Sequence, residues 1–376
     1  IDMIKSVLIA NRGEIAIRIA RTARRMGIKT YVVRTAKEPE AVYLSAADAV
    51  INFPETDGNI PEFLDIDRLV GLAREYKIDS LHPGYGYLSE NAELAERCRD
   101  NGIVFIGPSP EVIRLMGDKV AAKRIAAQSG VPMLGASQGA VHTLDEARKI
   151  AKRLGYPVII KAVSGGGGRG MRIVHHQDEL EQLYKIATAE AQVAFNDPSV
   201  FIEKYLENPK HIEFQIVADN YGNVVHLGER ECSIQRKHQK LMEEAPSPAL
   251  DERLRKKMAA AAVSLAKQAG YQSLGTVEFL LDHQKHFYFM EMNTRIQVEH
   301  PVTEEITGID LVELQFNIAA GRKLPLRQSQ IHLNGWSIEC RINAEDVQAG
   351  FSPSIGVIRQ LRLPQGNHIR IETGIA

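Results

Sequence analysis

The chain has 376 residues, of which 44% are hydrophobic and 25% are charged, as in an ordinary globular protein. Its 46 basic and 47 acidic side chains give a formal net charge of -1, which excludes a global field for nucleic acid or an anionic membrane. A phosphate-binding site must therefore depend on a local cluster of positive charges rather than on the net charge of the chain. The length predicts two or three domains, because a domain has about 150 residues.

The cysteines predict a reducing compartment. Cys98, Cys232 and Cys340 lie far apart without a CxxC pair, which favours buried thiols and argues against a zinc site. No apolar run reaches membrane-spanning length, and the N-terminus lacks a signal-peptide pattern. We therefore expect a cytoplasmic enzyme, or a mitochondrial matrix enzyme after removal of a transit peptide.

The first hundred residues predict a parallel α/β sheet. Strand patterns at 7–10, 29–33 and 47–52 alternate with helical patterns at 15–26 and 66–76. The first turn, at 11–14, lacks the three spaced glycines of a dinucleotide site, so we expect a Rossmann-like support domain rather than an NAD site. A turn cluster near 107–110 ends this domain at about residue 115.

The remaining chain predicts three further parts. A linker helix over 116–132 begins with Asp118 as its N-cap. A small lid subdomain over 133–203 contains strands at 158–162 and 171–174 and a helix at 178–194. From residue 204 to 376, β-rich runs predict an antiparallel sheet with helices on one side, an α+β domain.

A glycine run joins the two lid strands. Gly165, Gly166, Gly167 and Gly168 lack the Cβ atoms that would keep the backbone away from phosphate oxygens. Because no GK[ST] follows, the pattern is typical of a hairpin lid over a nucleotide rather than of a P-loop. Lys161 ends the preceding strand, within reach of a phosphate. The alternative is a flexible linker.

A second hairpin carries two acidic residues. Runs at 276–281 and 287–292 place Glu278 and Glu291 on neighbouring strands, with Asn293 two residues beyond. If the chain stays extended, one face then carries Glu291, Asn293, Arg295, Gln297 and Glu299. The side-chain oxygens of Glu278, Glu291 and Asn293 are the kind of ligand that Mg²⁺ prefers, and the alternative is a solvated polar face.

Two other segments are ambiguous by pattern alone. The charge-rich run 229–240 can gather an anion, but such runs are usually solvated, so the pattern predicts surface. The segment 82–90 ends a strand with glycines and aromatics, where ligand sites of α/β sheets lie, and its alternative is a structural turn.

Together these segments resemble the biotin carboxylase family of the ATP-grasp superfamily, over essentially the whole chain. The stretches that carry the resemblance are IANRGEIAIRI from Ile9, HPGYGYLSEN from His82, GDKVAAK from Gly117, IKAVSGGGGRGMR from Ile160, EKYLENPKHIE from Glu203, CSIQRKHQK from Cys232, EMNTRIQVEHPVTE from Glu291 and ECRINAED from Glu339. A chance match of all eight in this order is very improbable.

The resemblance implies roles for individual residues. The residues implied for ATP are Lys119, Lys161, Gly165, Gly166, Gly167, Gly168, Glu203, Lys204, Leu206, His211, Gln235 and His238. Those implied for the metal ions, Mg²⁺ or Mn²⁺, are Glu278, Glu291 and Asn293. Those implied for bicarbonate are Lys240, Arg295, Gln297, Val298 and the proton-abstracting base Glu299. Arg341, with Tyr85 beside it, is implied for biotin.

The implied reaction is activation of bicarbonate by Mg-ATP and carboxylation of biotin on a carrier protein, with a carboxyltransferase as a further partner. The family also implies a homodimer and a continuation beyond Ala376. The alternatives are another ATP-grasp ligase, such as a carbamoyl phosphate synthetase half, and a non-catalytic nucleotide-binding module. The sequence leaves open whether the final carboxyl acceptor is acetyl-CoA, propionyl-CoA, pyruvate or urea.

Overall fold

The computed structural model describes residues 4–53, 60–163, 171–237 and 239–375. A parallel sheet is formed by β1 (Ser6–Ile9), β2 (Lys29–Arg34), β3 (Ala49–Asn52), β4 (Ser80–His82) and β5 (Val104–Phe105). Its order is β3-β2-β1-β4-β5. The order reverses between β1 and β4, so the loops that follow these strands meet at one edge of the sheet. The predicted Rossmann-like sheet is confirmed.

Helices cover both faces of this sheet. They are α1 (Gly13–Arg25), α2 (Val42–Ser45), a 3-10 turn (Glu62–Leu64), α3 (Ile66–Glu75) and α4 (Ala92–Asp100). Two further helices, α5 (Pro110–Gly117) and α6 (Lys119–Gln128), lead out of the sheet. The Asp118 side chain accepts hydrogen bonds from the backbone N–H groups of Val120 and Ala121, as expected of the predicted N-cap.

A small three-stranded unit follows. Its elements are α7 (Leu144–Leu154), β6 (Val158–Ala162), β7 (Met171–Val174), a 3-10 turn (Gln177–Glu179), α8 (Leu180–Phe195) and β8 (Val200–Lys204). The strands are antiparallel in the order β7-β6-β8. The bounds of β6 and β7 are those expected from the sequence. The glycine run between them lies outside the described residues.

The largest sheet has six antiparallel strands in the order β13-β12-β9-β10-β11-β14. Its strands are β9 (Lys210–Ala218), β10 (Val224–Arg236), β11 (Gln239–Ala245), β12 (Ser273–Leu281), β13 (Phe287–Asn293) and β14 (Ser337–Cys340). The remaining elements are α9 (Glu252–Gln268), α10 (His300–Thr307), α11 (Leu311–Ala319), a 3-10 turn (Gln328–Gln330) and the short pair β15 (Glu345–Asp346) and β16 (Ser352–Pro353).

The two faces of this sheet have separate cores. Phe214 and Phe279 pack with Met258 of α9 on one face. On the other face, Leu274 of β12 joins a cluster that includes Ile9 of β1 and residues of α11. Along these strands, one set of alternate residues therefore packs against α9, and the other set packs against the parallel-sheet domain. This arrangement holds the ends of the parallel sheet against the polar part of the large sheet.

The charge-rich run 229–240 lies mostly in strands, and its predicted placement on the surface is wrong for 229–232, whereas Lys237 and Gln239 are exposed as predicted. Glu229 and Arg230 are 0% exposed, and Glu231 and Cys232 are also buried. They are buried because β10 is a central strand between β9 and β11. A run of charges reveals composition but not which neighbours a strand will have.

Three smaller expectations also fail. The large sheet has α9 on one face and α11 on the other, rather than helices on one side only, because alternate residues of its strands are apolar on both faces. Cys340 is exposed, whereas Cys98 and Cys232 are buried as predicted. The extended conformation ends with β13 at Asn293, so the strict alternation expected as far as Glu299 is broken. Among the described residues, none of the helices combines the length and the apolar character needed to cross a membrane.

Candidate active site

The floor of the site is a row of charged side chains across four strands. Glu291 of β13 is directly opposite Glu278 of β12, which is opposite Glu213 of β9, which is opposite Arg230 of β10. Residues in register on adjacent strands point to the same face of a sheet. A second row, two residues along, contains Asn293, Thr276 and Gln215. The register of the four strands therefore brings these polar side chains together on one face of the sheet.

Lys240 lies at the centre of this face. Its Nζ donates to Glu213 Oε2 at 2.6 Å, to Glu278 Oε1 at 3.0 Å and to Glu299 Oε1 at 2.6 Å. Burial alone would lower the pKa of Lys240, but the three carboxylates raise it well above its usual value. Lys240 therefore stays charged and holds three acids from different segments together.

Glu278 is the most heavily bonded of these acids. Besides Lys240, it accepts hydrogen bonds from Asn293 Nδ2 at 2.7 Å and from Gln297 Nε2 at 2.9 Å, and His211 Nε2 lies 2.7 Å from its Oε2. Burial raises its pKa, but Lys240 and His211 outweigh burial and lower it well below its usual range. Glu278 is therefore an anion throughout the physiological pH range.

His211 continues the chain of contacts towards β10. Burial lowers its pKa, but the charge of Glu278 outweighs burial and raises it. Gln235 Nε2 lies 2.9 Å from His211 Nδ1 and also donates to the carbonyl of Cys232. Two residues implied for ATP are thus connected to one implied for metal.

Glu299 lies between two cations. It precedes α10, where the chain has bent away from β13. Lys240 donates to its Oε1, and Arg341, which follows β14, donates to its Oε2 at 2.9 Å. Arg341 Nε also donates to Glu243 Oε1 at 2.7 Å. The predicted base is only 2% exposed, and both of its oxygens point at positive charge.

Arg295 connects the large sheet to the parallel-sheet domain. Its Nε donates to Glu90 Oε2 at 3.0 Å, and one of its NH groups donates to Asn293 Oδ1 at 3.2 Å. The other oxygen of Glu90 accepts from the backbone N–H of Thr294. Val298 is half-buried beside the buried Gln297. Of the residues that the family resemblance implies for bicarbonate, Glu299 contacts Lys240 directly and Gln297 shares Glu278 with it, whereas Arg295 contacts Glu90 and Asn293.

The pair Glu278 and Glu291 fits a divalent cation. Glu291 is exposed, and partial desolvation together with the charges of Glu278 and Glu90 raises its pKa. Two facing carboxylates repel each other unless a cation lies between them. Their hard oxygens suit Mg²⁺, which commonly binds one or two carboxylates together with substrate phosphates.

A separate ionic cluster joins the lid strands to α6. Glu203 accepts hydrogen bonds from Lys161, at 2.6 Å, and from Lys123. Both ammonium groups also lie close to the Phe201 ring, Lys123 at 5.7 Å from its centroid and Lys161 at 5.9 Å. Two lysines beside one carboxylate leave an excess positive charge, as expected where a triphosphate binds.

The other residues implied for ATP are distributed around this cluster. Lys204 donates to the carbonyls of Gly155 and Tyr156, and Leu206 is half-buried just beyond β8. Lys119 is exposed at the start of α6, and its charge partly offsets the rise that burial and Glu278 cause in the pKa of Glu291. Gly165, Gly166, Gly167, Gly168 and His238 lie outside the described residues.

Tyr85 is held differently from the expectation. Its hydroxyl donates to Glu14 at the start of α1 rather than joining the Arg341 cluster. Burial, followed by the charge of Glu372, raises the pKa of Glu14 to about 7. Tyr85 therefore belongs to the parallel-sheet edge of the site.

Comparisons with known proteins decide the family. The protein-family model described as biotin carboxylase, N-terminal domain, matches residues 3–113, and the family model of the biotin carboxylase C-terminal domain matches residues 339–376. The carbamoyl-phosphate synthase L chain, ATP binding domain, matches 118–327. The biotin carboxylase of Nostoc sp. is 53% identical over 369 residues, 98% of this chain and 82% of that protein. The chain belongs to the biotin carboxylase family.

Other relatives agree. Biotin carboxylase 1 of Bacillus subtilis is 48% identical over 99% of this chain and 82% of its own length. The solved biotin carboxylase of Campylobacter jejuni, in a beta-gamma-ATP complex, has a TM-score of 0.92 at 47% identity and covers 99% of this chain and 83% of that one. Biotin carboxylase models match on both sides of the ATP-binding domain, so the comparisons do not support the carbamoyl phosphate synthetase alternative.

Several site residues of this biotin carboxylase were not found by sequence reasoning. Glu213 and Arg230 extend the charged row, Glu243 holds Arg341, Glu90 holds Arg295, and Lys123 shares Glu203 with Lys161. The alternating polar residues His211, Glu213 and Gln215 of β9 were the available signal for Glu213. The others depend on contacts between distant segments.

An acidic pair lies behind Arg341. Glu243 of β11 and Glu339 of β14 are directly opposite, and the Oε2 atom of each is buried without a hydrogen-bond partner among the described residues. Burial, followed by the charges of Glu243 and Glu299, raises the pKa of Glu339 to about 8. The folded enzyme therefore retains a proton on Glu339 that the unfolded chain has lost.

This proton predicts a dependence of stability on pH. Because the folded-state pKa of Glu339 is raised, the free energy of unfolding should fall as pH rises from about 4.5 towards 8. Glu339→Gln removes the titration, so the variant should be more stable than the wild type at pH 8 by about 1 kcal/mol and show a smaller gain at pH 5. Thermal unfolding at both values measures this.

The matched control is Glu252→Gln, at the exposed start of α9. It should not reduce the loss of stability between pH 5 and pH 8. If Glu339→Gln lost as much stability over this range as the wild type, Glu339 would not carry the proton.

Proposed function

We propose that this protein activates bicarbonate with ATP and then carboxylates biotin, at the cluster formed by Lys240, Glu213, Glu278 and Glu299. The observation that carries the proposal is Glu299, a buried carboxylate held by Lys240 on one oxygen and by Arg341 on the other. A base and two cations in one place are what an anionic, weakly nucleophilic substrate requires.

ATP would bind between the lid strands and the large sheet. Lys161 would exchange Glu203 for phosphate oxygens, and Lys123 would keep Glu203 paired after this exchange. Lys119 and His211 would contact the nucleotide from the other side, with Glu203, Lys204 and Leu206 around the adenine. The glycine run that joins β6 to β7 would cover the phosphates and exclude water.

Glu278 and Glu291, with Asn293, would hold Mg²⁺ against the phosphates. The ion would supply charge neutralisation for the transferring phosphoryl group. Asn293 already donates to Glu278 and accepts from Arg295, so it connects the metal residues to the bicarbonate residues. The solved Hydrogenobacter thermophilus biotin carboxylase domain, 49% identical with a TM-score of 0.91, is described as a dimer complexed with Mg-ADP, ADP and bicarbonate. This precedent supports the assignment.

Bicarbonate would lie against Lys240, Arg295, Gln297 and the backbone of Val298. Glu299 would remove its proton, and a bicarbonate oxygen would attack the γ-phosphorus of ATP as the bond to ADP breaks. The products would be ADP and carboxyphosphate. Carboxyphosphate would then break down to CO₂ and phosphate within the closed site.

Biotin would complete the reaction beside Arg341. The phosphate would take the proton from the biotin nitrogen, and the freed nitrogen would attack CO₂ to form carboxybiotin. Arg341 would stabilise the negative charge that develops on the ureido oxygen, because its guanidinium is fixed by Glu243 and Glu299. Tyr85 would line the approach from the parallel sheet.

We further propose a carrier protein and a carboxyltransferase as partners, and a homodimer as the assembled state. The relatives include the 2-oxoglutarate carboxylase small subunit of Hydrogenobacter thermophilus, 49% identical over 98% of this chain and 78% of its own length. They also include the mitochondrial pyruvate carboxylase of Homo sapiens, 46% identical over 99% of this chain and 32% of its own length. Enzymes named for different final acceptors thus contain the same kind of chain. This supports a shared carboxybiotin half-reaction with the acceptor chosen elsewhere.

Glu299→Gln tests the proposed base. The amide keeps the shape but cannot accept the bicarbonate proton, so bicarbonate-dependent ATP cleavage should fall about 1,000-fold. Steady-state phosphate release with and without bicarbonate and free biotin measures this. Glu305→Gln, six residues along on the exposed part of α10, is the control and should retain wild-type rates. A Glu299→Gln enzyme within about threefold of the wild type would exclude Glu299 as the base.

Arg341→Ala separates the two half-steps. Lys240 still holds Glu299 in this variant, so ATP cleavage without biotin should stay within about threefold of the wild type, whereas carboxylation of free biotin should fall about 100-fold. Labelled bicarbonate incorporated into biotin, measured beside phosphate release, gives both rates. Equal loss of the two activities would contradict the assignment of Arg341 to biotin.

A further inference from the structure

Arg230 is a fully buried cation at the centre of the large sheet, 0% exposed. Arginine has five N–H donors in a planar fork. Its acceptors are Glu213 Oε1 at 2.5 Å, Gln215 Oε1 at 2.7 Å, Thr303 Oγ1 at 2.9 Å, Thr276 Oγ1 at 3.2 Å and Gln297 Oε1 at 2.7 Å. Acceptors from β9, β12, α10 and the segment before α10 thus meet on one side chain.

The contact with Gln297 has a directional consequence. An amide has one accepting end and one donating end. Arg230 binds the oxygen of Gln297, so its Nε2 is left to donate to Glu278, at 2.9 Å. Arg230 therefore determines which way the Gln297 amide faces, and Gln297 is a side chain of the proposed bicarbonate site.

The contact with Glu213 has a second consequence. Arg230 Nε binds one oxygen of Glu213, and Lys240 Nζ binds the other at 2.6 Å. Both sides of this carboxylate are thereby occupied by cations. The position of the Lys240 ammonium therefore depends on the guanidinium of Arg230, through the carboxylate that they share.

We propose that Arg230 is a positioning residue that aims Gln297 and Lys240 at bicarbonate. The proposal rests on the function proposed above, because it names the residue that orders that bicarbonate site. Breaking a buried ion pair is costly, and a buried charge alone does not show a functional role. What distinguishes Arg230 is that two of its five contacts lead directly to proposed bicarbonate ligands.

A neighbouring arginine provides the matched control. Arg255 of α9 donates to Glu229, which is also fully buried and directly precedes Arg230, but it does so from the opposite face of β10. Its other acceptors are the backbone carbonyls of Ser247 and Leu250 and, at 3.5 Å, Oε2 of the exposed Glu252 on the same helix. Arg255 thus stabilises a buried acid without touching the site.

The experiment compares Arg230→Lys with Arg255→Lys in bicarbonate-dependent ATP cleavage. Lysine keeps the charge beside each glutamate but cannot bind several acceptors in a fork. Arg230→Lys should raise the KM for bicarbonate about tenfold or more, with the KM for ATP within about twofold of the wild type. Arg255→Lys should leave both KM values within about twofold, whatever its melting temperature.

Two further variants keep the outcome decisive. Thr303→Val removes one neutral acceptor of Arg230. If Arg230→Lys does not fold, Thr303→Val replaces it in the test: a rise of about threefold in the KM for bicarbonate, with the KM for ATP unchanged, supports the proposal. Gln297→Ala tests the bicarbonate site itself. If Gln297→Ala raises the bicarbonate KM but Arg230→Lys and Thr303→Val do not, the role of Arg230 is wrong. If none raises it, the proposed bicarbonate site is wrong.

Discussion

One ammonium shared by three buried carboxylates is the interaction on which the site depends. Glu213 comes from β9, Glu278 from β12 and Glu299 from the turn before α10, and Lys240 of β11 binds all three. Three acids in a low-dielectric environment repel one another strongly unless a cation compensates them. Lys240 thus makes it possible for the proposed base Glu299, the proposed metal ligand Glu278 and the buried Glu213 to lie within one small volume.

The architecture explains how these groups come together. Antiparallel register places Glu291, Glu278, Glu213 and Arg230 side by side on one face, whereas the residues between them pack against α9. The parallel-sheet domain adds Glu90, which holds Arg295. The lid strands supply Glu203 and Lys161, and α6 supplies Lys123, the second lysine at Glu203. Each domain therefore contributes charged groups that the six-stranded sheet alone lacks.

Local patterns in the sequence were sufficient for much of the fold. The parallel sheet, the lid strands and the hairpin of Glu278 and Glu291 follow from runs of apolar and β-branched residues between turns, which depend on near neighbours. The burial of Arg230 could not be predicted in this way. It depends on β9 and β11 flanking β10, and on Gln297 and Thr303, which lie 67 and 73 residues along the chain. The bend after Asn293 likewise arises from tertiary contacts such as that between Thr294 and Glu90.

Lys240→Met tests the central claim most directly, through the free energy of unfolding measured from pH 5 to pH 8. Without the ammonium, the folded-state pKa values of Glu213 and Glu278 should rise, so the variant should lose more stability relative to the wild type as pH increases. Bicarbonate-dependent ATP cleavage should be lost as well. Lys185→Met, which removes an exposed partner of Glu181, should show neither effect. A Lys240→Met enzyme with an unchanged pH profile of stability, or with wild-type activity, would contradict the account.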